Sequence, residues 1–431
     1  MPPETDRART LKGLYHARKR ILIDAPDSDS DVVDEEMGLN LEMTSTILSR
    51  RQLKRPSTYR NKGYDADVAF QAWLTDARFR TFTHMDRGSV DVVYNLIRDD
   101  PVFTNPNPQS PSQQRSVYFQ LFVALSRLAS DGDGWCIDKG SEVFNIGHGT
   151  VLLYTERACL AAINKHVERF VRWPNAAARR ALSALGEQKY GFPGFVASCD
   201  GTMIGLRRAP VFHMFPETYH HHRHGGYGFN TLFWVDHHGS IIRFTCNWPA
   251  SASDQTIFDD SSFAQTPWKF LKKHEEYIFV DLGFKKEVFA VSPYKGKDAK
   301  QEHNALFNFA QRKGRVKVEH ANGVIKARFS SLRRMPIQIR FGTATAITAA
   351  AAAASLTPQT RSADDMPRCA SWITTCIILH NLLLILRDEF EFADVEEEDD
   401  DGIVDNQPTP QGKVFNDAVR DRWLRDVQGW T

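Results

Sequence analysis

Cysteine is scarce in this 431-residue sequence, and the six cysteines lie far apart without a Cys-X-X-Cys pair. Their spacing fits no structural zinc template, and it gives no ladder of paired residues that would indicate a disulfide framework. No apolar signal segment opens the sequence. Together these absences favour a reducing, intracellular compartment.

Long uninterrupted apolar runs are also missing. The strongest candidate, Trp372–Leu386, is interrupted by His380 and Asn381, so we expect no membrane span and no membrane partner. Hydrophobic residues nevertheless make up 42% of the chain and include 28 Phe, which is enough for a substantial core. For this length we expect two structured units with tails.

Net charge is nearly absent as well, at +1, but the charges are unevenly distributed. Residues 388–405 contain eleven Asp or Glu and no Lys or Arg, whereas residues 311–340 contain nine Lys or Arg and one acid, Glu319. Acidic runs are typical of solvated, disordered tails, and a dense cationic segment favours contact with a polyanion. Some of these cations could merely solvate a helix. The candidate phosphate contacts are Lys313, Arg315, Lys317, Lys326 and Arg328.

The segment Arg312–Leu332 has the pattern of a single amphipathic helix. Apolar residues recur at helical spacing from Val318 to Phe329, and Glu319 falls on the neighbouring stripe. A lone acid beside a packed face, surrounded by cations, suggests metal-assisted chemistry on a polyanion. The alternative is a basic surface helix with a solvated Glu.

The N-terminal part of the chain is expected to be a disordered tail (1–60) followed by a helical region (61–180). Within that region, a short helix at Ser141–Phe144, a turn at Asn145–Gly149 and a helix from Thr150 give a helix-turn-helix-like pattern. The second helix opens with little positive charge. Packing alone therefore explains the pattern about as well as DNA readout does.

Strand patterns begin after residue 190, and they predict an α/β domain over residues 190–387. A hairpin followed by a strand–helix alternation predicts a mixed sheet flanked by helices. An Ala-rich stretch at 343–366 is interpreted as an insertion, and residues 388–431 as an acidic, largely disordered tail. The predicted strands are Phe195–Leu206, the hairpin Asn230–Val235 and Ile241–Asn247, and Tyr277–Val280.

Three acids stand out by their positions in these elements. Asp200 lies within a predicted strand, Asp281 ends another, and Glu319 lies on the helix that follows. Divalent cations such as Mg²⁺ need oxygen ligands from several directions, and two such ions can assist phosphoryl displacement. Taken singly, each Asp has an ordinary explanation as a turn or cap residue.

Several motifs resemble those of the Harbinger/PIF-type transposase nucleases of the DDE superfamily, over about residues 64–386. Cys199-Asp200-Gly201-Thr202 resembles the first-acid motif of that family, and Val280-Asp281-Leu282-Gly283-Phe284 resembles the second. Arg315–Glu319 together with Gly323–Phe329 resembles the helix that carries the third acid. Ser253-Asp254-Gln255 and Leu379-His380-Asn381 are similar to two shorter motifs.

The resemblance implies a ribonuclease H-like fold preceded by a helix-turn-helix-like region. It also implies Mg²⁺ or Mn²⁺ dependence, DNA strand cleavage and transfer, and residence in the nucleus. Asp200, Asp281 and Glu319 would then be the catalytic, metal-binding acids. DNA is the expected partner, and a homo-oligomer or a separate DNA-binding partner protein is left open.

Departures from the family pattern keep other interpretations open. Leu282 stands where the family usually has a small polar residue, and His320 stands where it commonly has Arg. One alternative is therefore a domesticated, catalytically inactive DNA-binding protein of transposase origin. Another is a metal-dependent hydrolase acting on a different phosphodiester.

Overall fold

The structure is a computed structural model. The tail 1–60 and the Ala-rich segment 343–366 lie almost entirely outside the residues that it describes, so the predictions for both stay predictions. The described residues are 12–17, 40, 43, 74–104, 114–131, 137–210, 216–221, 225–337, 339, 366–390 and 407–429, with only the backbone at 159–162.

Contacts divide the chain into two compact units. Little of the first unit is described: it has a helical turn at 12–17, where the Asn40 side-chain amide donates to the Leu14 carbonyl at 3.1 Å. The second unit holds every helix and strand named below. The first comprises Met1–Tyr64, Pro210–Pro216 and Ile339–Asp365, and the second Asp65–Ala209, Glu217–Gln338 and Met366–Thr431.

The second unit begins with helices packed around one buried helix, α3. This helix is buried continuously from Phe119 to Ala129 because apolar residues cover its whole circumference rather than one stripe. The rings of Phe79 and Phe144 pack edge-on against Phe122 of α3. These helices are α1 (Asp76–Thr83), α2 (Arg87–Ile97), α3 (Val117–Ala129), α4 (Ile137–Val143), α5 (His148–Thr155), a π-helical segment (Glu156–Ile163), α6 (Val167–Phe170) and α7 (Ala176–Tyr190).

The predicted helix-turn-helix-like segment corresponds to α4, α5 and the turn between them. Asn145 has a positive φ of 49° in this turn, and the Ser141 hydroxyl donates to the Ile146 carbonyl at 2.7 Å. The second helix begins at His148, two residues before the predicted start at Thr150. A role of this segment in reading DNA stays a prediction.

A five-stranded mixed sheet follows, in the order β3-β2-β1-β4-β5. The β1–β2 and β2–β3 pairs are antiparallel, whereas the β1–β4 and β4–β5 pairs are parallel. The hairpin of β2 and β3, together with the parallel strands β4 and β5 beside β1, confirms the predicted mixed α/β sheet. Its strands are β1 (Phe195–Leu206), β2 (Tyr227–Val235), β3 (Ile241–Pro249), β4 (Tyr277–Val280) and β5 (Ala290–Val291).

Helices cover both faces of this sheet because alternate strand residues are apolar on opposite sides. Ile278 and Val280 of β4 belong to one core cluster, and Tyr277 and Phe279 belong to the other. The remaining helices are α8 (Asp254–Asp260), α9 (Ser262–Gln265), α10 (Gly296–Ala299), α11 (Glu302–Arg328), α12 (Met366–Leu386) and α13 (Pro410–Gln428).

Helix α12, which contains the apolar run Trp372–Leu386, packs along β3. The Asn381 amide oxygen accepts from the Ile241 N–H at 2.9 Å, and its amide nitrogen donates to the Ile241 carbonyl at 2.8 Å. By length and composition alone α12 is able to cross a membrane, whereas the run Trp372–Leu386 was expected to be too interrupted for a membrane span. In the fold, 67% of the most apolar window of α12 is buried. Core helices of globular domains pass the same test.

The prediction of a largely disordered tail at 388–431 was wrong for Pro410–Gln428, which forms α13. Phe415, Val419 and Trp423 recur every four residues and pack into the core cluster on one face of the sheet. The Trp423 ring stacks on Phe192 with centroids 5.5 Å apart. The dense acidic run before α13 dominates the composition and hides this apolar stripe.

Candidate active site

The register of β1 and β4 determines where two of the candidate acids lie. Cys199 of β1 pairs with Val280 of β4 in the parallel ladder. Asp200 and Asp281 are the next residues of the two segments and therefore stand side by side at the C-terminal end of β4, in the middle of the sheet. Their side chains are 17% and 16% exposed.

Helix α11 brings the third acid to the same place. Gly314 lies so close to the sheet that an added Cβ would stand 2.9 Å from the Phe279 ring and 3.0 Å from the Phe195 ring. The predicted apolar stripe is confirmed, since Val318, Ala321, Ile325 and Phe329 are all buried. This close packing directs Arg315 and Glu319, one turn apart, towards the two aspartates.

One guanidinium links all three acids. Arg315 Nη1 lies 2.5 Å from Asp281 Oδ1, and Nη2 lies 3.7 Å from Asp200 Oδ1 and 3.3 Å from Glu319 Oε1. Glu319 is therefore on the same side of the sheet as both aspartates. The structure brings the three predicted acids together, and it places between them Arg315, which was predicted to contact phosphate instead.

A fourth acid, Asp254, approaches the same strand from the start of α8. An added Cβ at Gly201 would stand 2.1 Å from an Asp254 carboxylate oxygen, so only glycine permits this approach. The Asn230 amide donates to Asp254 Oδ1 at 2.6 Å. Asp254 belongs to a short motif of the sequence but was not predicted as a site residue; the glycine next to Asp200 was the available signal.

Burial and crowding make the cluster electrostatically strained. Desolvation raises the pKa of Asp200 to about 8; the Arg315 guanidinium opposes this shift, and Asp281, Asp254 and Glu319 reinforce it. Burial alone would lower the pKa of Arg315, but the neighbouring carboxylates raise it above its ordinary value. Arg315 therefore stays charged, and ionisation of Asp200 is costly.

Two polar atoms beside these carboxylates have no hydrogen-bond partner among the described residues: Arg315 Nε and Asn322 Oδ1. The Asn322 amide nitrogen lies 3.5 Å from Asp200 Oδ2, so its orphaned oxygen lies beside the acids. Carboxylate and amide oxygens are the ligands that Mg²⁺ and Ca²⁺ prefer. The donor chemistry therefore fits a hard divalent ion.

The present arrangement of the acids is nevertheless that of an ion-pair cluster. Within the described part of the chain, no group of three or more His, Cys, Asp or Glu side chains is placed to hold a metal ion together. The Arg315 guanidinium takes the central position instead. The Cys199 thiol beside Asp200 is fully buried, and burial raises its pKa well above the ordinary value, so it is not an activated nucleophile.

The five predicted phosphate contacts fall into two groups. Lys313 is exposed, with its ammonium 4.3 Å from the centre of the Phe309 ring, and Lys317 and Lys326 are partly exposed. Arg315 and Arg328 are buried and paired with acids of the chain, so the structure gives no support to the phosphate contacts predicted for them.

Arg328 illustrates why the sequence misled on this point. Its Nη1 lies 3.1 Å from Asp388 Oδ1 and donates to the His84 carbonyl at 2.9 Å. Asp388 and His84 are both far from Arg328 in sequence. The charged residues nearest to Arg328 in sequence are cations, and they therefore suggest a surface position.

Comparison with known proteins gives one match, and it covers the site. No curated protein and no solved structure matches the chain. The matching segment starts at Cys199, beside Asp200, ends at Asn381 of α12, and contains all three acids. A mixed sheet with flanking helices is consistent with a ribonuclease H-like nuclease fold. Residues 199–381 match the family model described as DDE superfamily endonuclease.

Proposed function

We propose that this protein is a metal-dependent DNA endonuclease of transposase origin, of the Harbinger/PIF type, that cleaves and transfers DNA strands in the nucleus. The observation that carries the proposal is the convergence of Asp200, Asp281 and Glu319, from two strands and one helix, on a single guanidinium. This convergence lies inside the segment that matches the endonuclease model.

In this proposal the three carboxylates hold Mg²⁺ or Mn²⁺. When bound, such ions activate water and neutralise the charge that develops on a phosphate during cleavage. The protein supplies rigid placement: the ladder between β1 and β4 sets the two aspartates, and the close packing at Gly314 sets Glu319. Lys313, Lys317 and Lys326, which are exposed or partly exposed on α11, would neutralise backbone phosphates.

Cleavage of supercoiled plasmid and of fragmented genomic DNA tests the proposal. We expect nicking or cutting with Mg²⁺ or Mn²⁺ and none with EDTA. Asp200→Asn, Asp281→Asn and Glu319→Gln should each lower the rate by about a hundredfold or more. The matched control is Glu302→Gln, an exposed acid on the first turn of the same helix, which should cleave like the parent. Cleavage that survives in all three site variants would refute the assignment.

A DNA-binding protein without nuclease activity is the second candidate. The observation that favours it is the position of Arg315, which occupies the centre of the acid cluster and satisfies the acids without a metal. DNA binding that is retained with Mg²⁺ and Mn²⁺, without cleavage and without any effect of Asp200→Asn, would select this function. The same preparations would report self-association or the need for a separate DNA-binding partner.

A further inference from the structure

Arg315 is a buried cation surrounded by acids. Its side chain is only 8% exposed, and its two terminal nitrogens reach three different carboxylates. Its Nε has no hydrogen-bond partner among the described residues. A guanidinium held for structure alone is expected to be fully satisfied, because a buried unpaired N–H is costly. Arg315 is therefore placed by charge more than by hydrogen-bond geometry.

We propose that Arg315 is an internal counter-ion that competes with divalent cations for Asp200, Asp281 and Glu319, and so sets the metal affinity of the site. This inference rests on one element of the proposed function, namely that these acids bind a divalent ion. It adds that the guanidinium holds the place of the ion, so that the metal-free protein is kept in a closed form in which Arg315 offsets part of the negative charge of the acids.

Charge disfavours joint occupancy by the guanidinium and the ion. The guanidinium lies within 3.7 Å of a carboxylate oxygen of each acid, and a divalent ion bound by the same oxygens would stand within a few ångströms of it. At such separations like charges repel in a partly desolvated site. A bound ion therefore favours departure of the Arg315 side chain from this position.

The cluster has a route by which the guanidinium can leave. The Glu319 side chain is 34% exposed, about twice as much as those of Asp200 and Asp281. The site therefore opens towards solvent on the Glu319 side, one helical turn from Arg315. Movement in this direction needs a change of side-chain rotamer rather than displacement of α11.

Divalent-metal binding by the full chain without DNA tests the competition directly. Mn²⁺ is titrated calorimetrically into the parent, Arg315→Met and Arg312→Met; the last removes an exposed cation from the preceding turn of the same helix. We expect Arg315→Met to bind Mn²⁺ at least about tenfold more tightly than the parent. We also expect it to unfold at a lower temperature without metal and to gain more thermal stability from Mn²⁺. Arg312→Met should match the parent in all three quantities.

A second measurement uses the unmodified side chain and does not depend on the folding of Arg315→Met. The Nε–Hε signal of Arg315, identified by its loss in Arg315→Lys, is followed by ¹⁵N NMR while Mg²⁺ is added. We expect the signal to shift and to exchange faster with solvent as the site fills. A signal that stays unchanged while Mg²⁺ binds overturns the proposal.

The outcomes separate this inference from the proposed function. If folded Arg315→Met binds Mn²⁺ no more tightly than the parent, the proposal that Arg315 competes with the metal is overturned. If the parent then binds Mn²⁺ and Asp200→Asn does not, the nuclease proposal still stands. The absence of Mn²⁺ binding in both the parent and Arg315→Met overturns the metal site itself, and both proposals with it.

Discussion

The buried ion pair between Arg328 and Asp388 gives the sharpest test of the packing described above. Both side chains are almost fully buried, and their charged atoms are 3.1 Å apart, which corresponds to an attraction of about 5 kcal/mol at an effective dielectric constant of about 20. Asp388→Asn removes this attraction and leaves the guanidinium unpaired in the interior. The amide oxygen of Asn can still accept from the Asp86 N–H, which lies 2.9 Å from Asp388 Oδ2. We therefore expect the free energy of unfolding to fall by about 3 kcal/mol, at the lower end of the range for breaking a buried pair.

Urea unfolding, followed by circular dichroism and by Trp fluorescence, measures this change. The slope against urea concentration should stay the same, so that the loss appears in the midpoint. Glu389→Gln is the matched control because Glu389 is the neighbouring acid and is exposed; its effect should stay within about 0.5 kcal/mol. If Asp388→Asn and Glu389→Gln have the same effect, Arg328 is not buried against Asp388, and its predicted role as a phosphate contact returns.

Three further perturbations test other parts of the molecule. Burial lowers the pKa of His380 to about 4, so its imidazole stays neutral in the fold but takes up a proton on unfolding below its ordinary pKa of 6.5. Stability should therefore fall by up to about 3 kcal/mol between pH 6.5 and pH 4, and thermal unfolding over this range should show a flatter profile for His380→Gln. Gly201→Ala drives a methyl group into the Asp254 carboxylate and should lower both metal affinity and DNA cleavage in the assays above; unchanged Mn²⁺ binding would show that Asp254 is not part of the site. Trp423→Ala removes the ring stacked on Phe192 and should cost about 3–5 kcal/mol in urea unfolding, whereas a loss below about 1 kcal/mol would mean that α13 does not dock as described.

Much of the sheet and of the acid cluster could be predicted because their signals are local. The strand patterns around Asp200 and Asp281, and the apolar spacing from Val318 to Phe329, depend on neighbours in sequence. The parallel pairing of β1 with β4 then brings the two aspartates together. The chemistry of the site followed from acids that lie within or directly after predictable elements.

The parts that were missed depend on contacts over long sequence distances. Arg315 and Arg328 looked like surface cations because Asp281 and Asp388, which pair with them in the fold, lie outside the basic segment. Asp254 comes close to β1 only because Gly201 has no side chain, and a single glycine in one sequence is a weak signal of such an approach. Helix α13 was hidden by the acidic residues that precede it.

Helix α11 has a consequence for motion as well as for chemistry. It is one continuous helix of 27 residues. At its C-terminal end, Arg328 donates a hydrogen bond to the backbone carbonyl of His84, which follows α1. Glu319 lies on the same helix, two and a half turns before Arg328. A rigid helix that contacts the N-terminal helices and also carries an acid of the cluster transmits a displacement of those helices to the acid cluster. Any ligand that shifts the N-terminal helices would therefore also change how the Glu319 carboxylate meets the two aspartates.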